Sequence, residues 1–238
     1  MAVSETTRAQ MRDIVALYPR PRSALMPLLH LVQADDGAVT PEGIDEVAKL
    51  IGLTDAEVTA VATFYTMYVD RQSGKYRVGV CINSLCAILG GDEIWQSLVE
   101  HCGVGHDETT EDGAITLERI ECQAACTHAP VMTANWEFLD DMTVSKATGI
   151  VDQLRAGETV RSTRGPVIRS FSETERTIAG LDDGLVSDGD HRDSRVLAGL
   201  ELAKSNGDFE LAMANQRDAA AAHSRTDSQA DNAHDKDR

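Results

Sequence analysis

Tyr76-Arg77-Val78-Gly79-Val80-Cys81-Ile82-Asn83-Ser84-Leu85-Cys86 carries two signals at once. Tyr76, Val78 and Val80 alternate with Arg77 and Gly79, the period-two pattern of a strand, and the strand runs straight into Cys81. Cys86 follows after four residues, with Ala87 and then Gly90-Gly91 behind it. After a further 35 residues comes a second pair, Cys122 and Cys126, enclosing Gln123-Ala124-Ala125. Four thiolates on two short loops can close a tetrahedral zinc shell, or ligate the two irons of a [2Fe-2S] cluster with two cysteines on each iron. In either case the loops must meet in the fold, and small neighbours let backbone amides approach the sulfurs.

Spacing alone leaves zinc and cluster open. Zinc pairs usually enclose two residues, so x4 combined with x3 is unusual for them, yet it also differs from the common ferredoxin layouts. A dithiol redox role is weaker, because such enzymes use C-x-x-C at a helix N-terminus. Cys102 lies on the apolar face of a helix and reads as a buried, inert thiol. His128, two residues past Cys126, reads as a donor to the site or a substitute ligand, and His30, beside Leu28-Leu29, as a core or interface histidine. Between and just before the second pair stand Asp92, Glu93, Asp107, Glu108, Glu111, Asp112, Glu118 and Glu121. They read as a solvated acidic face, or as charges that would lower the potential of a nearby redox centre.

Outward from the first pair, Ile94, Trp95, Leu98, Val99 and Cys102 repeat at helical spacing up to Gly103. Strands are expected at residues 115–120 and 131–134, and Thr143 caps a helix carrying Val144, Ala147, Ile150, Val151 and Leu154. The order strand, helix, strand, strand, helix, with both cysteine pairs just past strand ends, predicts an α+β sandwich with ligand loops at one edge. Upstream, the apolar stripes Met11-Ile14-Val15-Tyr18, Leu25-Leu28-Leu29-Val32 and Ile44-Val47-Ala48-Ile51 predict short helices. Thr40-Pro41 fits a helix start, and Thr54 with Glu57 a capping box leading into a fourth helix. The expected divisions are a helical module over 1–73, the cysteine domain over 74–160, and an acidic, mostly irregular extension over 161–238.

The extension holds 15 acidic and 9 basic residues from Gly165 onward, and residues 218–238 are too polar to bury a core. Residues 167–181 and a helix-like run over 196–213 are the parts expected to dock on something. The whole chain has a formal net charge of −17, which disfavours nucleic acid and anionic membrane surfaces and favours a basic partner. No stretch of 18 apolar residues and no signal-like N-terminus is present, so the expected compartment is the cytosol, where thiols stay reduced. Neither a G-x-S-x-G, a P-loop nor a G-x-G-x-x-G after a strand is found. The chain reads as an electron carrier without a substrate site.

The sequence also resembles a known family, the thioredoxin-like [2Fe-2S] ferredoxin component of NADH-quinone oxidoreductase, respiratory complex I, known as the E subunit in bacteria and the 24 kDa subunit in mitochondria. Tyr18-Pro19, Arg22-Ser23-Ala24-Leu25, Leu29-His30-Leu31-Val32-Gln33 and Val61-Ala62-Thr63-Phe64-Tyr65 resemble its helical module. Val80-Cys81, Cys86, Gly90, Cys122, Ala125-Cys126 and Ala129-Pro130-Val131-Met132 resemble its cluster domain. The resemblance implies a thioredoxin-like fold, with Cys81 and Cys86 on one iron of the cluster and Cys122 and Cys126 on the other. It also implies a flavin subunit (F) binding FMN and NADH, a large iron-sulfur subunit (G), and a peripheral position on the cytoplasmic side of the membrane without insertion. The diaphorase subunits of NAD-linked hydrogenases and formate dehydrogenases share these features, and a zinc-stabilised interaction module is the alternative of another class. Gln123-Ala124 departs from the Leu-Gly pair common in the family. The tail beyond Gly165 falls outside the resemblance, and residues 167–181 are expected to dock on the flavin subunit or another peripheral-arm subunit.

Overall fold

The computed structural model describes residues 3–182, 193–207 and 210. The chain falls into two units, residues 1–189 and 190–238. In the first, α1 (Glu5–Ala16) starts where Ser4 accepts a hydrogen bond from the Thr7 amide, and it buries Met11 and Ile14. A 3-10 turn, Pro21–Ala24, leads into α2 (Leu25–Asp36), which buries residues on nearly every side, including Leu28, Leu29, Leu31 and Val32. A helix apolar all round belongs at the centre of a bundle, and α2 packs against both α1 and α3 (Pro41–Ile51). Gly43 of α3 is needed for that approach, since a Cβ there would lie 2.2 Å from Val32 Cγ1. α4 (Asp55–Ala62) begins with the expected capping box, Thr54 and Glu57 bonding each other's backbone.

The sheet has five strands in the order β2-β3-β1-β4-β5. β1 (Tyr76–Cys81) lies at its centre, buried throughout. After it come the single turn α5 (Ser84–Cys86), α6 (Asp92–Cys102), β2 (Glu108–Thr109), β3 (Ile115–Ile120), β4 (Met132–Ala134), β5 (Glu137–Leu139) and α7 (Val144–Arg155). β3 runs parallel to β1, and the other pairings are antiparallel. The three expected strands are present, and two were not foreseen. β2 is two residues long inside a polar run, and β5 forms a hairpin with β4 through Asn135 and Trp136, both at positive φ. Neither leaves a period-two pattern long enough to read.

One sheet face carries the core. Val78, Val80, Ile115, Leu117 and Met132 pack with Ile94 and Leu98 of α6 and Val151 and Leu154 of α7. At about 1.5–3 kcal/mol for each large aliphatic side chain removed from water, this layer fixes the sheet's register. The other face is polar and close: Arg77, 6% exposed, pairs with Asp107 at 3.0 Å and Glu118 at 3.2 Å. A Cβ at Gly79 would meet Ile120 Cγ2 and Thr133 Oγ1, each at 2.8 Å.

Residues 167–181, expected to dock on a partner subunit, fold back on this chain. α8 (Phe171–Ile178) packs on α2, and Ala179 joins the helical core. Glu175 Oε2 lies 2.6 Å from His30 Nδ1, and the Ser172 hydroxyl donates to the Ala34 carbonyl at 2.6 Å. His30 is thus the core histidine expected. Burial raises the Glu175 carboxyl above the usual carboxylate range, with His30 pulling it back.

In the second unit, α9 (Ser194–Ser205) is capped by the Asp193 carboxylate and covers the start of the helix-like run expected over 196–213. Residues 211–238, including the end of that run and the polar terminus, lie outside the described residues. Among the described residues no helix is long and apolar enough to cross a membrane.

Candidate metal centre

Cys81 is the last residue of β1, so the sheet itself fixes its position. Its amide donates to the Val131 carbonyl at 3.1 Å, just past the cis Ala129-Pro130 peptide, and the Ile82 amide donates to the Ile120 carbonyl at 3.3 Å. The chain then makes one helical turn, the Ala87 amide donating to the Asn83 carbonyl at 2.9 Å, and this carries Cys86 back over Cys81. Both are buried, at 2% and 3% exposed, in a small cluster with Ala125 and Val131. Gly91 closes the turn: a Cβ there would lie 2.8 Å from the carbonyl oxygens of both Cys81 and Cys86. Only glycine permits that approach of backbone to backbone.

The second pair is different in kind. Cys122 and Cys126 are exposed, and their sulfurs lie 3.8 Å apart. The Ala124 amide points at Cys122 Sγ at 3.4 Å, which requires φ +55 at Ala124. That is the left-handed region, where glycine rests without the steric cost of about 1–2 kcal/mol that a Cβ adds, a cost the greater freedom of an unfolded glycine partly offsets. One side chain ties the two loops together, Asn83 Nδ2 donating to Glu121 Oε2 at 2.7 Å.

Two of the thiols, Cys86 and Cys126, are shifted by neighbours in both pairs. Burial first, and then Cys81 and Cys126, push the Cys86 thiol up to about 11, while the Val131 backbone pulls it down. Cys126 is raised by Cys122 first, and by burial and Cys81 more weakly. Ala125 of the second loop packs in one cluster with Cys81 and Cys86, so the two loops meet, as four-thiol ligation demands. Among the described residues no three His, Cys, Asp or Glu side chains gather closely enough to surround one ion. A [2Fe-2S] cluster takes two thiolates on each iron, and two thiol pairs on adjoining loops suit that demand.

The remaining sequence candidates lie around this centre. His128 is buried, with Nδ1 3.6 Å from Asp141 Oδ2. Cys102, expected to be buried, is half-buried against the sheet core, and its thiol is raised by that burial. Of the eight carboxylates between and before the pairs, all but Glu118 are exposed, in keeping with a solvated acidic face. Sequence reasoning missed the part played by Gly91, and it missed that Leu85, Ile88 and Leu89 face solvent. The spacing of these three as one helical face was the available signal.

A mixed sheet whose central strand ends in one cysteine, with a second buried beside it and a further pair on the adjoining loop, defines an α+β protein with a four-thiol edge. The chain belongs to the thioredoxin-like [2Fe-2S] ferredoxin family, which it matches over residues 11–155. It is 51% identical to the E subunit of NADH-quinone oxidoreductase from Mycobacterium bovis, over 82% of this chain and 78% of that protein. With NADH-quinone oxidoreductase subunit 2 of Thermus thermophilus it shares 38% identity over 62% of this chain and 83% of that one. Among solved structures, a chain of NAD+-reducing [NiFe]-hydrogenase in the air-oxidized state has a TM-score of 0.51 at 15% identity. That match covers 56% of this chain and 23% of the hydrogenase chain, and is a likeness of fold.

Proposed function

We propose that this chain is an electron-carrying subunit of an NADH-quinone oxidoreductase, holding one [2Fe-2S] cluster on Cys81, Cys86, Cys122 and Cys126. The observation that carries the reading is the packing together of two cysteine loops, one pair buried and one open, in a chain 51% identical to a subunit of that name. A [2Fe-2S] group supplies one-electron chemistry. Cys81 and Cys86 would hold it from the protein side, fixed by β1 and by the Gly91 turn. Cys122 and Cys126 would hold it from the solvent side, where a partner can approach.

Electrons would pass between this site and the FMN of a neighbouring flavin subunit, which binds NADH; the large iron-sulfur subunit is the second partner. The complex would place the chain on the cytoplasmic side of the membrane, as a peripheral component. The hydrogenase likeness is one of fold and favours no separate reading.

The test is reduction by NADH. Anaerobic NADH should bleach the visible absorbance of the chain only when the flavin subunit is also present. Bleaching without the flavin subunit, or none with it, would contradict the reading.

A further inference from the structure

Leu85, Ile88 and Leu89 are 43%, 80% and 52% exposed. Their spacing puts all three on one face of the helical path that leaves Ser84. The chain then turns at Gly90, φ +112, and α6 sends Ile94, Trp95 and Leu98 into the core. The three leucine and isoleucine side chains are left outside that core, on the turn that bears Cys86, which packs with Ala125 of the open loop. A contiguous apolar face beside a redox site marks a contact surface.

Charge says what kind of partner fits it. Residues 78–118 contain eight Asp and Glu and no Lys or Arg. Asp92 and Glu93 are exposed immediately after the apolar face, and Glu121 is exposed on the second loop. Such a rim repels anionic lipid and nucleic acid, and it complements a basic protein surface. Electron transfer weakens steeply with distance, so the partner that exchanges electrons must cover the open cysteine pair. The turn that carries the apolar face meets the loop of that pair, through Asn83 on Glu121 and Cys86 beside Ala125.

We propose that Leu85, Ile88 and Leu89 seat the redox partner, a protein presenting an apolar patch ringed by Lys and Arg that carries its own electron-exchange cofactor. The proposal rests on the electron-carrier reading above and adds to it the surface and the partner's chemistry. Leu85, Ile88 and Leu89 give the contact its dry centre, while Asp92, Glu93 and Glu121 set its orientation and its association rate.

The experiment measures the affinity of the full-length, metal-loaded chain for the flavin-containing, NADH-oxidising subunit of the same complex. The variant Ile88→Glu/Leu89→Glu should bind about tenfold or more weakly, with iron content and visible spectrum unchanged. A second variant, Asp92→Asn/Glu93→Gln, leaves the apolar face intact and should weaken binding roughly two- to fivefold at low salt while flattening its salt dependence. If the first variant loses its iron, the second decides. Both binding as tightly as a wild type that does bind would overturn this surface and leave the electron-carrier reading standing. A wild type that does not bind the flavin protein at all would remove both.

Discussion

The two halves of the cysteine site differ in how far the fold has already built them. Cys81 and Cys86 are sealed between β1, Val131 and a turn that only Gly91 permits, whereas Cys122 and Cys126 stand exposed on a loop bent through the left-handed backbone of Ala124. The buried half is held by the protein core. The open half lies at the surface, where a partner would cover it. A carrier needs both, one side to insulate the cluster and one side to pass the electron.

Substitution is the strongest way to break this comparison. Changing any one of the four cysteines to serine should abolish the iron-sulfur absorbance. The apo proteins should then separate: Cys81→Ser and Cys86→Ser lose about 1–3 kcal/mol of stability from a hydroxyl in an apolar pocket, while Cys122→Ser and Cys126→Ser stay within about 0.5 kcal/mol of wild type. Equal stability of all four apo variants, by denaturant unfolding, would erase the distinction. Alkylation of the apo protein gives a kinetic view of the same contrast. Cys122 and Cys126 should react with iodoacetamide about tenfold or more faster than Cys81 and Cys86, because access limits thiol chemistry; peptide mass mapping over time reads it directly.

Gly91→Ala attacks the buried half through its backbone. Two carbonyl oxygens 2.8 Å from the new Cβ cannot yield as a side-chain tip would, so a loss of about 1–3 kcal/mol and a lower cluster yield are expected. Glu175 is a control remote from both pairs. Burial raises its pKa in the folded state, so its contribution to stability is full below the ordinary carboxylate pKa and is lost as pH rises through the raised value, because the unfolded chain ionises first. Glu175→Gln should flatten that fall in thermal unfolding and leave the absorbance untouched. The smallest effect is at Ala124→Gly, which relieves the positive φ and should stabilise the open loop by up to about 1 kcal/mol, seen as slower cluster loss to a chelator.

What could be read in the sequence follows from how local each signal is. Thr54 and Glu57 announce a capping box within four residues, and Tyr76, Val78 and Val80 announce a strand, so both elements stand where expected. The four cysteines were legible as a set because thiol chemistry restricts what such a set can do. The return of α8 was not legible: Glu175 sits 145 positions from His30, and their pairing is a property of the packed chain rather than of any window of sequence. Ala124 and Gly91 were visible as small residues, but the positive φ of one and the crowding at the other appear only once the loops have met.

Iron, zinc and acid-labile sulfide content of anaerobically purified protein, taken with the EPR spectrum after dithionite reduction, tests the central claim most directly. The account predicts iron and sulfide in equal amounts, about two of each per chain, with a rhombic spin-half signal. One zinc per chain with no sulfide and no signal would contradict it.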